Sequence, residues 1–295
     1  MRRSYNYTSS KSSNTAVKAA TASVIIILLL AVVCVVELIA LAVLNIRLKS
    51  LKEVPPSDSE VIGALDADAD ASSGEDQPAA LPTSAQLSET ADYGMEYIDK
   101  IIFVGDSTTN GMKSKAYHVL TGGTATKQVW TPESGTLSLD PNIAKALIRN
   151  PYSGTDMTIA EAAGQVKPEY MVLTVGLNNG VPFLDEGEFK LCYRKLIGAI
   201  AAASPDTKII LQSIYPVASN NTKESITNEK IDRANGWIKD LAEEYNIKYL
   251  NTNPSLKDAD GYLKMSYQNG DGIHLNRSGF EAVLNYIRTH GYPKS

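Results

Sequence analysis

The chain has 295 residues, of which 43% are hydrophobic, enough for a sizeable core, and it carries a formal net charge of −5. The acidic balance argues against a nucleic-acid-binding protein, because such proteins concentrate basic residues on their binding face. The two cysteines, Cys34 in a long apolar segment and Cys192 in an amphipathic one, offer no framework of intramolecular disulfides.

The N-terminal segment has the pattern of a membrane anchor. The first 20 residues contain four basic and no acidic side chains, and the 21 residues 24–44 contain a single charge, Glu37. A run of this length can cross a bilayer, which takes about 20 residues, whereas a cleaved signal peptide has an apolar core of about 7–15 residues. We therefore predict a cytoplasmic tail over residues 1–21 and an uncleaved transmembrane signal anchor over residues 22–46.

Residues 47–92 are predicted to form a disordered linker. No lysine or arginine occurs between Glu53 and Asp99, and proline, serine, alanine and acidic residues dominate. A segment of this composition cannot bury enough apolar surface to form a core. Basic residues flank the anchor on both sides, with Arg47, Lys49 and Lys52 after it, so the charge rule alone favours a cytoplasmic N-terminus only weakly. The linker beyond them, without Lys or Arg, adds to the preference for an extracytoplasmic position of the rest of the chain.

Residues 93–295 have the pattern of one globular α/β domain. Short apolar runs alternate with amphipathic stretches, which is typical of a parallel sheet covered by helices on both faces. The predicted strands are 100–104, 127–130, 170–175, 208–214 and 247–251, and the predicted helices are 112–120, 142–149, 186–203, 227–245 and 278–290.

The strongest chemical signal follows the first predicted strand. Gly105, Asp106 and Ser107 come directly after the apolar run 101–104 and before polar residues that can cap a helix. A serine on such a turn exposes its hydroxyl at the carboxyl end of a strand, where open α/β sheets bind ligands. Ser107 is therefore a candidate nucleophile, although Asp and Ser also occur at such positions simply as helix caps.

A nucleophilic serine needs a base, and the chain has three histidines. His118 and His290 lie in predicted helices, where surface or packing roles suffice. His274 lies in a glycine-rich loop before the last predicted helix, three residues after Asp271. In a bent loop the Asp271 carboxylate can hold one ring nitrogen of His274 and leave the other for Ser107. The same residues also fit an Asp-Gly turn beside a helix cap.

Two further residues could stabilise the negative charge that forms when a serine attacks a carbonyl. Asn178 follows the predicted strand 170–175, and its amide can donate a hydrogen bond to an oxyanion at the same sheet edge as Ser107. Gly135, after the second predicted strand, offers a backbone N–H for the same purpose. Both residues also fit ordinary turns.

In their order and spacing, these motifs resemble the SGNH/GDSL hydrolase superfamily. The resemblance extends from about Asp99 to the C-terminus. It implies a three-layer α/β/α sandwich with a five-stranded parallel sheet of the flavodoxin-like type. The motifs that carry it are Gly105, Asp106 and Ser107 after the first strand, a glycine after the second, Gly176 to Asn178 after the third, and Asp271 with His274 before the last helix.

The resemblance also implies roles for these residues. Those roles are Ser107 as nucleophile, His274 as base, Asp271 as orienting acid, and the backbone N–H groups of Ser107 and Gly135 with the Asn178 side chain as oxyanion hole. The sequence departs from the family at Asn179, where an aspartate is usual. Asn235 also resembles a family position, which we interpret as structural.

The resulting expectation is an extracytoplasmic, membrane-tethered serine esterase. It would remove acyl groups, short ones such as acetyl, from carbohydrate or cell-envelope esters without a metal or an organic cofactor. The expected partners are an acylated carbohydrate or small ester and the membrane, with no nucleic acid. The alternatives are an O-acyltransferase that uses the same residues and a non-catalytic glycan-binding domain, which Asn179 favours.

Overall fold

The structure is a computed structural model that describes residues 84–293. Within these residues the strands are β1 (Ile101–Gly105), β2 (Val129–Trp130), β3 (Leu147–Arg149), β4 (Asp156–Thr158), β5 (Tyr170–Thr174), β6 (Lys208–Gln212) and β7 (Lys248–Leu250). The α-helices are α1 (Gly94–Ile98), α2 (Ser107–Asn110), α3 (Ile159–Val166), α4 (Gly180–Phe183), α5 (Glu186–Ala203), α6 (Asn228–Glu244), α7 (Asn253–Leu256) and α8 (Arg277–Thr289).

Five of the strands form one parallel sheet in the order β2-β1-β5-β6-β7. When these five strands alone are numbered along the chain, leaving out β3 and β4, the order is 2-1-3-4-5. This is the order of flavodoxin-like folds, in which ligands bind where the strand order reverses. The reversal lies between β1 and β5, which pair from Ile101 with Tyr170 to Gly105 with Thr174. The predicted α/β fold with a five-stranded parallel sheet is therefore confirmed.

The sheet separates two hydrophobic layers because successive side chains of a strand point to opposite faces. On β1, Ile102 and Val104 join the layer formed with α3, α5 and α6. Ile101 and Phe103 join the layer formed with α1, α7 and α8. Cys192 on α5 is buried in the first layer, and burial raises the pKa of its thiol.

The free edge of β7 is covered by the segment at the start of the described residues. Leu87 donates its N–H to the Tyr249 carbonyl oxygen at 2.8 Å, and Tyr249 donates to the Ala85 carbonyl oxygen at 2.9 Å. Covering an edge strand hides backbone groups that would otherwise pair with another chain. Residues that precede the predicted domain start at residue 93 therefore already pack against the sheet.

The predicted cytoplasmic tail and membrane anchor, and all of the predicted linker before residue 84, lie outside the described residues. Among residues 84–293, no helix combines the length and apolarity needed to span a membrane.

Two predicted helices are wrong. In place of helix 112–120 there is a short 3-10 helix, Gly111–Lys113, which ends because Ser114 adopts an extended ψ of 133°. Turns follow, and His118 among them has a positive φ of 47°. Residues 142–149 form the 3-10 helix Ile143–Lys145 and then β3, which pairs antiparallel with β4.

Candidate active site

Ser107 lies at the first position of α2, directly beyond the carboxyl end of β1. The chain turns sharply here, and Gly105 permits the turn because it has no side chain. A Cβ at Gly105 would lie 2.0 Å from Thr109 Oγ1 and 2.5 Å from the Thr174 carbonyl oxygen. The predicted strand, turn and helix start are therefore present, and they place Ser107 at the edge where the strand order reverses.

Asp106 connects this turn to the loop after β5. Its buried carboxylate caps α2 by accepting the Thr108 N–H at 3.0 Å and the Thr108 hydroxyl at 2.7 Å. It also accepts the backbone N–H of Asn178. Burial raises the pKa of the Asp106 carboxyl, and these hydrogen bonds and the nearby His274 counteract part of that rise. Asp106 thus fixes the position of Asn178 relative to Ser107.

The loop that carries His274 is shaped by the Asp271 carboxylate. Oδ1 of Asp271 accepts the backbone N–H groups of Ile273 at 2.8 Å and His274 at 2.9 Å. Gly272, between Asp271 and Ile273, has a φ of 76°, and a Cβ there would lie 2.7 Å from the backbone nitrogen of Asn221. Only a glycine therefore fits where this loop packs against the loop after β6.

The side chains of Ser107, His274 and Asp271 form one continuous hydrogen-bonded chain. Ser107 Oγ lies 2.9 Å from His274 Nε2, and His274 Nδ1 lies 2.6 Å from Asp271 Oδ2. Burial tends to raise the pKa of Asp271, but the backbone N–H groups and the His274 ring outweigh it, so this pKa is lowered. An ionised carboxylate only accepts hydrogen bonds, so Nδ1 carries the proton and Nε2 is free to accept from Ser107.

Asn178 completes the group on the other side of Ser107. Its side-chain Nδ2 donates to Ser107 Oγ at 3.3 Å. The backbone N–H of Ser107 makes no hydrogen bond among the residues that the structure describes. Two N–H donors, the Asn178 amide and the unengaged backbone N–H of Ser107, are thus available next to the hydroxyl.

Gly135 is the one predicted site residue that does not fit its expected role. Its N–H donates to the Pro132 carbonyl oxygen at 2.8 Å within a turn, and its φ is 76°. That hydrogen bond engages the one backbone N–H donor of Gly135. The structure therefore does not support Gly135 as an oxyanion donor, and the glycine serves the turn against Asn110.

A row of hydrogen-bonded polar side chains near Ser107 was not predicted from the sequence. Lys113 Nζ donates to Thr131 Oγ1 at 3.1 Å, and Thr131 Oγ1 donates to Asn110 Oδ1 at 3.0 Å. The spacing of Asn110 from Ser107 was an available signal, because residues three apart share one face of a helix. The contribution of Thr131 depends on the β1–β2 pairing, which the sequence does not reveal.

Comparisons with known proteins extend these observations. Residues 103–282 match the sequence profile of the GDSL-like Lipase/Acylhydrolase family. A search of curated proteins gives no match.

Solved structures similar to the chain include three bacterial proteins. A protein from Streptococcus pneumonia, provisionally described as a platelet activating factor, has 23% identity and a TM-score of 0.48 over 64% of this chain and 82% of its own. A GDSL-like lipase from Bacteroides thetaiotaomicron has 18% identity and a TM-score of 0.44 over 65% and 87%. A catalytic mutant of an acetylxylan esterase from Geobacillus stearothermophilus has 17% identity and a TM-score of 0.41 over 65% and 94%.

Proposed function

The chain belongs to the GDSL-like lipase/acylhydrolase family and is a serine ester hydrolase, and from this premise we propose that Ser107, His274 and Asp271 are its catalytic triad. The observation that carries the proposal is the hydrogen-bonded chain from Ser107 Oγ through the His274 ring to Asp271 Oδ2, with distances of 2.9 and 2.6 Å. This arrangement has the geometry required for a serine to lose its proton as it attacks.

In the proposed reaction, Ser107 Oγ attacks the ester carbonyl carbon while its proton passes to His274 Nε2. The Asp271 carboxylate stabilises the imidazolium that results. His274 then gives this proton to the departing alcohol oxygen, and the acyl group remains on Ser107. A water molecule, deprotonated by His274, attacks the acyl-enzyme, and the proton returns to Ser107 as the carboxylic acid leaves.

The oxyanion that forms on the carbonyl oxygen would be held by two donors. These are the Asn178 side chain, 3.3 Å from Ser107 Oγ, and the unengaged backbone N–H of Ser107. Removing a single donor of this kind typically slows an acyl-transfer reaction by about 10²–10³-fold. Asn178 therefore acts as the oxyanion donor, and Asp106 keeps it in place by accepting its backbone N–H.

Water is the favoured acyl acceptor because the site is open. The side chains of His274 and Asp271 are 29% and 46% exposed. A transferase must keep water from its acyl-enzyme, and side chains this exposed do not exclude it. Product analysis with an added glycan separates the two activities: transferred acyl groups without free acid would establish the O-acyltransferase instead.

The proposal for the substrate and the location of the enzyme is based on the sequence pattern before the domain. We infer an extracytoplasmic domain held by the anchor that the sequence predicts, and a linker of the predicted composition would give it a reach of some tens of ångströms. That reach suits an acylated carbohydrate polymer of the cell envelope, with short acyl groups such as acetyl. Protease added outside intact cells would release the domain, whereas full protection would place it in the cytoplasm.

The triad is tested by hydrolysis of p-nitrophenyl esters of increasing acyl length. Ser107→Ala is expected to abolish turnover while the far-UV spectrum stays that of the wild type. Ser225→Ala, a change at an exposed serine of the loop after β6, is the matched control and is expected to keep full activity. Equal rates from the wild type and Ser107→Ala would refute the nucleophile, and the profile over acyl length bounds the substrate.

A further inference from the structure

A pocket of about 360 Å³ opens on the β2 side of the sheet and reaches Asn110, three residues after Ser107. Its volume falls within the range of about 300–1,000 Å³ that is usual for small-molecule sites. We call it the β2-side pocket and define it by Asn110, Lys113, Thr131, Pro132 and Arg149, which line it together with the loop before β2. The mechanism described above uses none of these side chains.

Lys113 gives this pocket a positive charge that lacks a counter-ion. Its side chain is half-buried, and its ammonium donates to the Thr131 hydroxyl at 3.1 Å. No carboxylate among residues 84–293 forms an ion pair with it. Burial alone lowers the pKa of Lys113, as expected for an ammonium removed from water without an anion to compensate.

The other polar groups in the wall also offer mainly hydrogen-bond donors. Asn110 Oδ1 accepts from the Thr131 hydroxyl at 3.0 Å, so the amide is oriented with Nδ2 as its free end, and Nδ2 makes no hydrogen bond within the described part of the chain. Arg149 adds a guanidinium, already paired with Asp156 at 2.8 Å. Glu133 is the one acid among the described residues of the lining, and it is exposed.

The position of Asn110 connects the pocket to the reaction. Asn110 and Ser107 are three residues apart on α2, so their Cβ atoms are about 5–6 Å apart on one helix face. A molecule with its ester at Ser107 can therefore extend its alcohol portion past Asn110 to the ammonium of Lys113.

We propose that the β2-side pocket binds an anionic group, a carboxylate or a phosphate, on the alcohol portion of the ester, so that the enzyme prefers acylated acidic carbohydrates. This inference rests on the proposed function. Lys113 supplies the charge, and Asn110 supplies a neutral donor between that charge and the nucleophile. A neutral acylated glycan would leave the ammonium without a partner, and the specificity follows from that difference.

The test compares kcat/KM on acetylated polygalacturonate, which is acidic, with kcat/KM on acetylated xylan, which is neutral. Lys113→Gln is expected to lower the acidic-to-neutral ratio by about tenfold or more, chiefly through KM, because a hydrogen bond to a charged group is lost. Lys115→Gln removes the same charge from an exposed neighbour outside the pocket, and we expect it to leave the ratio unchanged. Lys113→Arg is expected to restore most of the preference.

The outcomes separate the two proposals. An equal loss on both polymers, or no change in the ratio, would refute the anion site while Ser107→Ala remains inactive. If Ser107→Ala retains activity, the proposed function fails whatever the ratio shows. An acetylated polymer with phosphodiester links, used as a third substrate, distinguishes a preference for phosphate from one for carboxylate. Raising the salt concentration should reduce the preference in the wild type and not in Lys113→Gln.

Discussion

The side-chain amide of Asn179 donates to the Leu139 carbonyl oxygen at 3.1 Å, and this bond fastens the Asn178 loop to the segment after β2. An aspartate at this position, which the family resemblance leads one to expect, could not donate it. Asn179 also has a φ of 65°, with Gly180 N–H bonded to the Asn178 carbonyl oxygen at 2.8 Å, a tight γ-turn that only a few residue types tolerate. Asparagine, rather than the aspartate usual in the family, is thus suited to position 179 of this loop.

Asn179→Asp is expected to weaken both activity and stability. A carboxylate would face the Leu139 carbonyl oxygen with no proton to share, at a cost of about 1–3 kcal/mol, and the displaced loop would misplace Asn178. The measurements are urea unfolding and kcat/KM on a p-nitrophenyl ester. Asn179→Gly keeps the positive φ and removes only the side chain, so its loss should be smaller. Wild-type behaviour of Asn179→Asp would contradict the role of this hydrogen bond.

Asp271→Asn is expected to reduce kcat by about 10²–10⁴-fold, the range attributed to a positioned proton-transfer group. An amide in place of the carboxylate would no longer hold the proton on His274 Nδ1 or stabilise the imidazolium. Asp260→Asn makes the same chemical change at an exposed loop position and should leave kcat unchanged. Retention of more than about a tenth of the activity by Asp271→Asn would rule out its role as the orienting acid.

The stability that Asp271 contributes should depend on pH. Its pKa is lowered in the folded state, so the folded chain binds the proton less readily than the unfolded chain does. The contribution is therefore present above the unfolded pKa of about 3.9 and is lost as pH falls through the folded value. The free energies of unfolding of the wild type and Asp271→Asn should converge as pH is lowered below about 4. A difference that stays constant over this range would count against the linkage.

Asn235 and Asn228, both on α6, form the same two-bond clamp on the loop after β6. Asn235 accepts the Ile214 N–H at 2.7 Å and donates to the Ile214 carbonyl oxygen at 3.1 Å, and it is buried. Asn228 does the same to Val217 at 2.8 and 2.9 Å in a less buried place. We expect Asn235→Ala to cost about 2–4 kcal/mol of unfolding free energy, because two buried backbone groups lose their partners.

Asn228→Ala should cost less than Asn235→Ala, because water can replace the lost partners at the more exposed clamp. Thermal or urea unfolding of both variants measures the difference. Equal costs at the two sites would show that burial does not decide the strength of these clamps.

Gly105→Ala should be strongly destabilising and Gly198→Ala should not. A Cβ at Gly105 collides with the Thr174 carbonyl oxygen at 2.5 Å, and a backbone atom cannot move aside cheaply, so we expect a loss of about 3 kcal/mol, the upper end of the usual cost of overpacking. Gly198, in the middle of α5, has open space around it, and alanine there should add about 0.5–1 kcal/mol. A stable Gly105→Ala variant would show that the turn before Ser107 can relax.

All five strands of the main sheet were predicted within three residues at either end, because a strand buried on both faces is a continuous apolar run. The β3–β4 hairpin was not predicted. The sequence was instead interpreted as a helix over residues 142–149, which include β3. The sequence did contain a signal against that helix: Asn150 precedes Pro151, and a residue before proline disfavours the helical conformation. Helix α3 was also missed, although Thr158 and Glu161 form a capping box at its start.

The local positions of Ser107, Asp271 and His274 could be predicted because each depends mainly on the loop that carries it. Ser107 follows a strand, and Asp271 and His274 share a turn, so local chemistry indicated their geometry. Gly135 was misassigned because the direction of a backbone N–H in a loop depends on the turn type, which its sequence does not specify. Lys113 was missed for another reason. Which residues surround its ammonium, and that no carboxylate among the described residues pairs with it, depends on how β2 and the neighbouring loops pack.

His274, the proposed base, comes from the loop that precedes α8, after every strand of the sheet along the chain. Helix α8 is fastened at its start by Asn276, which caps it, and at its end by Arg288, which pairs with Asp92 ahead of α1. A nascent chain that has emerged only as far as β7 would contain Ser107 and the complete sheet without His274. In the proposed mechanism, ester cleavage would therefore begin only after synthesis has reached the C-terminal helix and that helix has docked, and a chain truncated after β7 would be inactive.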